Sequence, residues 1–519
     1  MLKKVVLLFA VLIVFYGFSQ DAPYSNLRIK KLNNNIRLNY TLVHMPTDQV
    51  AYQLKPTMGL IGFHYLIPIN NWLYTGAAMH AAVIGDQGGL FTLGADLGIN
   101  KKLYKNIYFD ANVHFGGGGG YRTLVNGGGF LYPNIGLQYK TKQFSFGVQY
   151  GNVNFFTGII NNDNVSFFVE IPSLVRRTSY ANTQKNFIVA DNFTNDIWKK
   201  PAVKSVQQVT FDFMFPFGAS RKDASRNFEP ITNTLSLLGF EYQRYLLEDT
   251  FIYAHTDAMY NGLVSGFMDL FIGAGHNIHL TKNSQFFGKF GIGAAGGRIY
   301  PENGLTIYPS VGVDIKLSEN FGFGGHAGYH RSIGGTFEAY TAGFSLKYYA
   351  LSGGIKHPFT EEISPEIKAQ GIQIEVQNQT YFNVAKFGIP NSNLQLIALK
   401  INYTLSKRIY IAGEASFAYE GKSGGYAHGI FGLGLKSNSF FNDHFSLFSE
   451  LGIGVAGGGR VDAGNGVLLR AIAGINYQVS NDFGMHFSRG QIYSPFGKVN
   501  STNFNIGLSY RLSILNTKK

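Results

Sequence analysis

Cysteine is absent from the 519 residues, which removes disulfide frameworks, thiolate zinc sites, cysteine nucleophiles and the lipidated cysteine of a lipoprotein. Charge is scarce as well. Only 14% of positions are Asp, Glu, Lys or Arg, where a soluble domain carries about 25%. Beyond the first twenty positions no apolar run approaches the roughly 18 residues a membrane-spanning helix needs, so a helical membrane protein is excluded. There is no Gly-x-Ser-x-Gly elbow and no repeated Ser, His and acid set. The glycine run 116–120 lacks the Lys-Ser/Thr ending of a phosphate loop. What the chain has in plenty is 64 Gly, 45 Phe and 31 Tyr, a composition suited to strands with an aromatic face and a small-residue face.

The N-terminus reads as an export signal. Lys3 and Lys4 precede an apolar core at 5–18, and Gly17 and Ser19 offer small residues for cleavage before Gln20. Residues 1–19 are therefore expected to be removed. The net charge of +13 favours anionic neighbours such as lipid phosphates or acidic glycans.

From residue 35 onward the sequence resolves into alternating runs of about 9–13 residues broken by Asn, Gly, Asp and Ser, the signature of strands. In 306–317 one face carries Ile307, Pro309, Val311, Val313, Ile315 and Leu317 while the other carries Thr306, Tyr308, Ser310, Gly312, Asp314 and Lys316. The last strand sets Phe504, Ile506, Leu508, Tyr510 and Leu512 against Asn505, Gly507, Ser509 and Arg511. Near residue 91, Phe91, Leu93, Ala95, Leu97 and Ile99 alternate with Thr92, Gly94, Asp96, Gly98 and Asn100. In hydrocarbon every backbone amide must be paired, so a β-protein spans a membrane only as a closed barrel.

A domain-sized unit recurs three times. The stretch 287–298, FGKFGIGAAGGR, returns as 448–460, FSELGIGVAGGGR, and more faintly as 109–122, where Phe109 to Phe115 leads into glycines, Tyr121 and Arg122. Arg122, Arg298 and Arg460 thus stand about 170 residues apart, longer than solenoid or propeller periods. Each unit gives eight strands. The pattern predicts an all-β transmembrane antiparallel β-barrel of about 24 strands as three tandem eight-stranded barrels, with one 24-stranded barrel as the alternative. The boundaries are unit 1 at 20–175, a basic linker at 176–205, unit 2 at 206–351, a linker at 352–370 and unit 3 at 371–519. With the N-terminus in the periplasm, the short turns fall on the periplasmic side and the Gly-rich loops outside, the asymmetry of outer-membrane barrels.

On these residues the chain resembles the outer-membrane β-barrel class, as a triplication of small OmpA-transmembrane-like or OmpX-like eight-stranded barrels. The resemblance is architectural, and it implies integral residence in the bacterial outer membrane. Barrels of eight strands are just wide enough for side chains to fill, so Lys289, Asp314, Lys316 and Lys347 of unit 2, and Glu450, Asn476 and Arg511 of unit 3, are expected as a polar network in the lumen. Lys289 is expected to pair with Asp314, and Glu450 with Arg511. Arg122, Arg298 and Arg460 are candidates for clamping lipid phosphate or a sugar carboxylate at the outer rim.

The function expected is non-enzymatic: a structural or interaction protein that binds lipid or protein. A pore or transporter for small solutes is the alternative, and a lipid-modifying enzyme the third reading. His326, His330, His255 and His276 share unit 2, but no carboxylate or thiolate spacing supports a metal site, so neither metal nor cofactor is expected. Outer-membrane lipids are the expected partners. A periplasmic or outer-membrane protein docking on 176–205, which carries Arg176, Arg177, Lys185, Lys199, Lys200 and Lys204 beside Phe187, Phe193 and Trp198, is a second. Nucleic acid is not.

Overall fold

Strict two-residue alternation gives a strand unlike faces, and the computed structural model is made of such strands. It describes residues 30–50, 54–120, 122–188, 201–222, 228–263, 266–297, 303–360, 362 and 366–517. The expected export signal and Arg298 lie outside them, as do Lys199, Lys200, Phe193 and Trp198. The first strands are β1 (Lys30–His44), β2 (Thr57–Pro68), β3 (Leu73–Ile84), β4 (Phe91–Tyr104), β5 (Ile107–Gly119), β6 (Gly129–Lys140), β7 (Ser145–Phe155), β8 (Asn161–Thr178) and the short β9 (Asn186–Ile188). There follow β10 (Val203–Pro216), β11 (Ala219–Lys222), β12 (Phe228–Pro230), β13 (Leu235–Tyr245), β14 (Thr250–Asn261), β15 (Phe267–His279), β16 (Ser284–Gly297), β17 (Leu305–Lys316), β18 (Phe321–Ser332) and β19 (Glu338–Ser352). The last are β20 (Glu366–Val384), β21 (Ser392–Thr404), β22 (Ile409–Glu420), β23 (Ala427–Lys436), β24 (Phe445–Gly457), β25 (Val467–Gln478), β26 (Phe483–Tyr493) and β27 (Asn500–Thr517).

The chain is an all-β antiparallel barrel protein. Twenty-five strands belong to one hydrogen-bonded sheet, and β11 and β12 pair with each other. Among the described residues helix is limited to single turns at Thr47–Gln49, Arg122–Val125 and Tyr180–Asn182. Strands pair antiparallel in chain order within three runs of eight, β1–β8, β10 with β13–β19, and β20–β27, and three further pairings join the ends of these runs. β1 pairs with β8, placing Arg37 opposite Glu170; β10 pairs with β19, placing Asp212 opposite Gly343; β20 pairs with β27, placing Glu375 opposite Ser509. Shorter pairings connect the runs at one end: β8 meets β27 at Thr178 and Ser513, β19 meets β27 at Ser352 and Asn516, and β9 lies along the start of β20.

Three contacts between runs share one geometry. β5 packs on β22, β16 on β3, and β24 on β14, so each time the fifth strand of one run of eight meets the third strand of another. The glycines of the repeated motif make this approach. A β-carbon on Gly119 would sit 1.7 Å from the Cα of Gly425, and one on Gly296 would sit 2.1 Å from the Cα of Gly89, distances no side chain tolerates. Phe91, Leu93, Ala294 and Phe417 form a shared apolar cluster there, with Met268, Leu270, Leu399 and Ala427 against it. Phe91 and Leu93 lie on the outward, apolar side of the alternation, but are only 3% and 5% exposed because another run covers them. Further along the same strand Leu97 is 51% exposed. Ile135, Leu137, Phe146, Val148, Phe167 and Val169 continue that exposed apolar belt around the first run.

Candidate functional site

The small-residue face of each strand points into its run of eight, and the side chains there bond across the interior. In the first run Arg37 on β1 reaches Asp110 on β5, four strands away, through Nη1 and Nη2 at 3.0 Å each. Its Nε donates to Glu170 at 3.0 Å and its Nη2 lies 2.8 Å from the same carboxylate. The amides of Gln149 on β7 and Asn100 on β4 also donate to Asp110, at 2.7 and 2.8 Å. One layer further, Asp96 sits between His64 (2.8 Å) and His114 (2.9 Å). Above these, Val43, Met58, Leu60, Phe130, Phe155, Leu124 and Val125 form a fully buried apolar plug at the end that carries the longer loops. The helical turn Arg122–Val125 supplies the last two.

The third run repeats the design with different residues. Lys400 on β21 donates to Glu450 on β24 at 2.7 Å. Arg470 on β25 bonds Glu450 at 2.9 Å and makes a double contact with Glu414 on β22. Gln373, Gln377 and Asn402 donate to Glu375 at 2.7, 2.6 and 2.8 Å. Tyr381, Leu394, Leu396, Tyr426, Ile430, Leu468 and Ile492 plug the loop end.

The second run is the most acidic. Lys289 on β16 donates to Glu241 on β13 at 2.5 Å, and Lys347 on β19 pairs with Asp314 on β17 at 2.7 Å. His255 lies between Glu241 (Nδ1, 3.1 Å) and Asp257 (Nε2, 2.9 Å), and His326 Nε2 stands 2.5 Å from Asp212. Met214, Leu235, Leu237, Met259, Phe267 and Phe337 close its loop end. Charges this deeply buried are stable only when paired and hydrogen-bonded. Arg37 and Asp110, Lys400 and Glu450, Arg470 and Glu414, and Lys289 and Glu241 come from non-adjacent strands, so the interiors are crossed.

Two expected pairs are corrected. Lys289 does not meet Asp314: it stands level with Ser310, while Asp314 stands level with Gln285, four residues further along. At about 3.4 Å per residue that separation is too long for contact. Glu450 does not meet Arg511, which lies half-buried near the end of β27 with its guanidinium 4.7 Å over the Tyr180 ring. Lys316 is half-buried at a strand end, 5.8 Å from the Tyr349 ring, and the Asn476 amide faces Ser446 Oγ at 3.5 Å. His276 points outward and bonds Thr250, away from His255, His326 and His330.

Arg122 begins a helical turn, and Arg460 is exposed in a loop at φ +62°, its carbonyl accepting from the Phe387 amide at 2.8 Å. In the first linker Arg177 bonds Asp482 at 3.1 Å, Lys204 donates to the Glu248 carbonyl at 3.0 Å, and Phe187 is buried with Ile367, Ala369 and Leu515. Sequence reasoning missed Arg37, Asp110, Glu170, Glu241, Lys400, Glu414 and Arg470, although all lie on the small-residue face of their strands.

No family model matches the chain, and no curated protein matches it. Solved structures resemble it at low identity. The siderophore receptor PirA from Pseudomonas aeruginosa is 8% identical over 95% of this chain and 81% of its own, at a TM-score of 0.25. OccAB3 of Acinetobacter baumannii is 9% identical over 93% and 99%, at 0.21. OpdQ of Pseudomonas aeruginosa is 8% identical over 93% and 98%, at 0.19. Siderophore receptors and Occ porins are outer-membrane β-barrel proteins.

Proposed function

We propose that the chain is an integral bacterial outer-membrane protein of three tandem eight-stranded barrels with closed interiors, serving as a structural or interaction protein toward lipid or protein and not as a conduit. Closure of each run by its first and last strands supports the three-barrel reading, and the exposed apolar belt supports membrane residence. The observation that carries the functional reading is Arg37, which crosses the full interior of its run to Asp110 beneath an apolar plug. Water and small solutes have no polar, open path through such a stack.

Arg122, Arg298 and Arg460 remain the proposed contacts for lipid phosphate or sugar carboxylate; the exposure of Arg460 supports this. The second reading is a pore or transporter, the occupation of the receptors and channels named above. The purified full chain in a planar bilayer separates the two. Electrical silence at protein densities where a porin conducts is expected. Steady unitary conductance would overturn the closed-interior reading and establish the pore.

A further inference from the structure

Lysine and arginine neutralise carboxylates in all three interiors, but in the second run they leave three aspartates without such a partner among the described residues. Lys289 and Lys347 are taken by Glu241 and Asp314. Among the described residues, the ion pairs of Asp212, Asp257 and Asp269 are with imidazoles alone: His326 at 2.5 Å, His255 at 2.9 Å and His330 at 3.7 Å. All three aspartates are at most 3% exposed. Asp212 Oδ2 has no hydrogen-bond partner, and neither ring nitrogen of His330 has one. One ligand atom each from Asp212, His255 and Asp257 lies within 4.8 Å of the others.

We infer that this cluster is a binding site for a divalent transition-metal ion of the Zn²⁺ or Mn²⁺ type. Asp212, Asp257 and His255 Nε2 would be the ligands, and His326 on β18, bonded to Asp212, would hold that carboxylate in place. Mixed carboxylate and imidazole donors suit these ions, whereas Ca²⁺ asks for six to eight oxygens. The surroundings are those of a metal histidine. Glu241 accepts from the far ring nitrogen of His255 at 3.1 Å and so points Nε2 at the cluster, while Thr210 Oγ1 donates to Asp257 at 3.1 Å. A dication would also supply the positive charge that no lysine or arginine brings to the three aspartates. Neither other interior has this composition among the described residues: the first sets one aspartate between two histidines, and the third pairs Glu414 and Glu450 with Lys400 and Arg470 and leaves Glu375 beside His486.

The test is metal content of the full chain, refolded in detergent with Zn²⁺ or, separately, Mn²⁺, desalted, and measured by elemental analysis. About one ion per chain is expected with at least one of the two metals, against none with Ca²⁺. Asp212→Asn and His326→Gln, each checked for heat-modifiable gel mobility, should each lower that occupancy at least tenfold at the same metal concentration. Less than a tenth of an ion per wild-type chain would overturn the site without any variant. So would full occupancy in both folded variants.

Discussion

Replacing Arg37 by Met removes one guanidinium and strands two carboxylates. Asp110 and Glu170 are 0% and 4% exposed, so neither can be rescued by solvent, and breaking a buried pair costs about 3–5 kcal/mol. At 1.4 kcal/mol per decade that is a roughly 10²- to 10⁴-fold loss in the folding equilibrium. The assay is guanidinium unfolding of the full chain in detergent or vesicles, followed by loss of the heat-modifiable band. The companion variant Arg37→Met/Asp110→Asn/Glu170→Gln keeps the side-chain volumes but leaves no orphan charge, and it should regain most of the lost stability. A single-variant loss under about 1 kcal/mol, the worth of an exposed pair, would refute the claim that this interior is dry and crossed. A triple variant no better than the single one would refute the charge argument.

Phe130→Ala, at 0% exposure in the plug, should cost about 3–5 kcal/mol yet open no steady conductance in a planar bilayer, because the Arg37 layer still closes the run beneath it. Since the chain has no cysteine, Phe115→Cys/Tyr419→Cys places two unique thiols where ring centroids lie 5.5 Å apart. A short dimaleimide should bridge them, and adding Gly119→Leu should abolish the gel shift by forcing β5 away from β22. Arg177→Ala, whose partner Asp482 is partly exposed, should cost under about 1 kcal/mol, and less in high salt.

The strands were legible because alternation is local. Alternation in the third unit puts strand starts near Gly371, Leu394, Arg408, Ala427, His444, Val467, Asp482 and Thr502; the last seven lie within two residues of the observed Ser392, Ile409, Ala427, Phe445, Val467, Phe483 and Asn500, while the first strand begins earlier, at Glu366. The interior face of 306–317 was legible for the same reason: Thr306, Tyr308, Ser310 and Asp314 are buried and Val311, Val313 and Ile315 exposed. Partner choice was not. Whether Lys289 meets Asp314 or Glu241 depends on the stagger between strands that are not neighbours, a global quantity that no single strand encodes. Arg37 was hidden in an Asn-rich stretch, and Asp110 in a segment read mainly for its glycines. Phe91 and Leu93 show a second limit, since alternation tells which residues face outward but not whether lipid or a neighbouring run meets them.

The fifth-to-third contact is head-to-tail, and three such contacts return to the start, so the set is complete at three and offers no free face of that kind for a fourth unit. Had the units been separate chains, every substitution would appear in all three interiors at once. On the three-barrel proposal, joining them end to end keeps a trimer's packing while each interior answers to its own stretch of sequence. One unit can therefore gather aspartates and histidines, and another glutamates with arginine and lysine, without either composition being imposed on its neighbours.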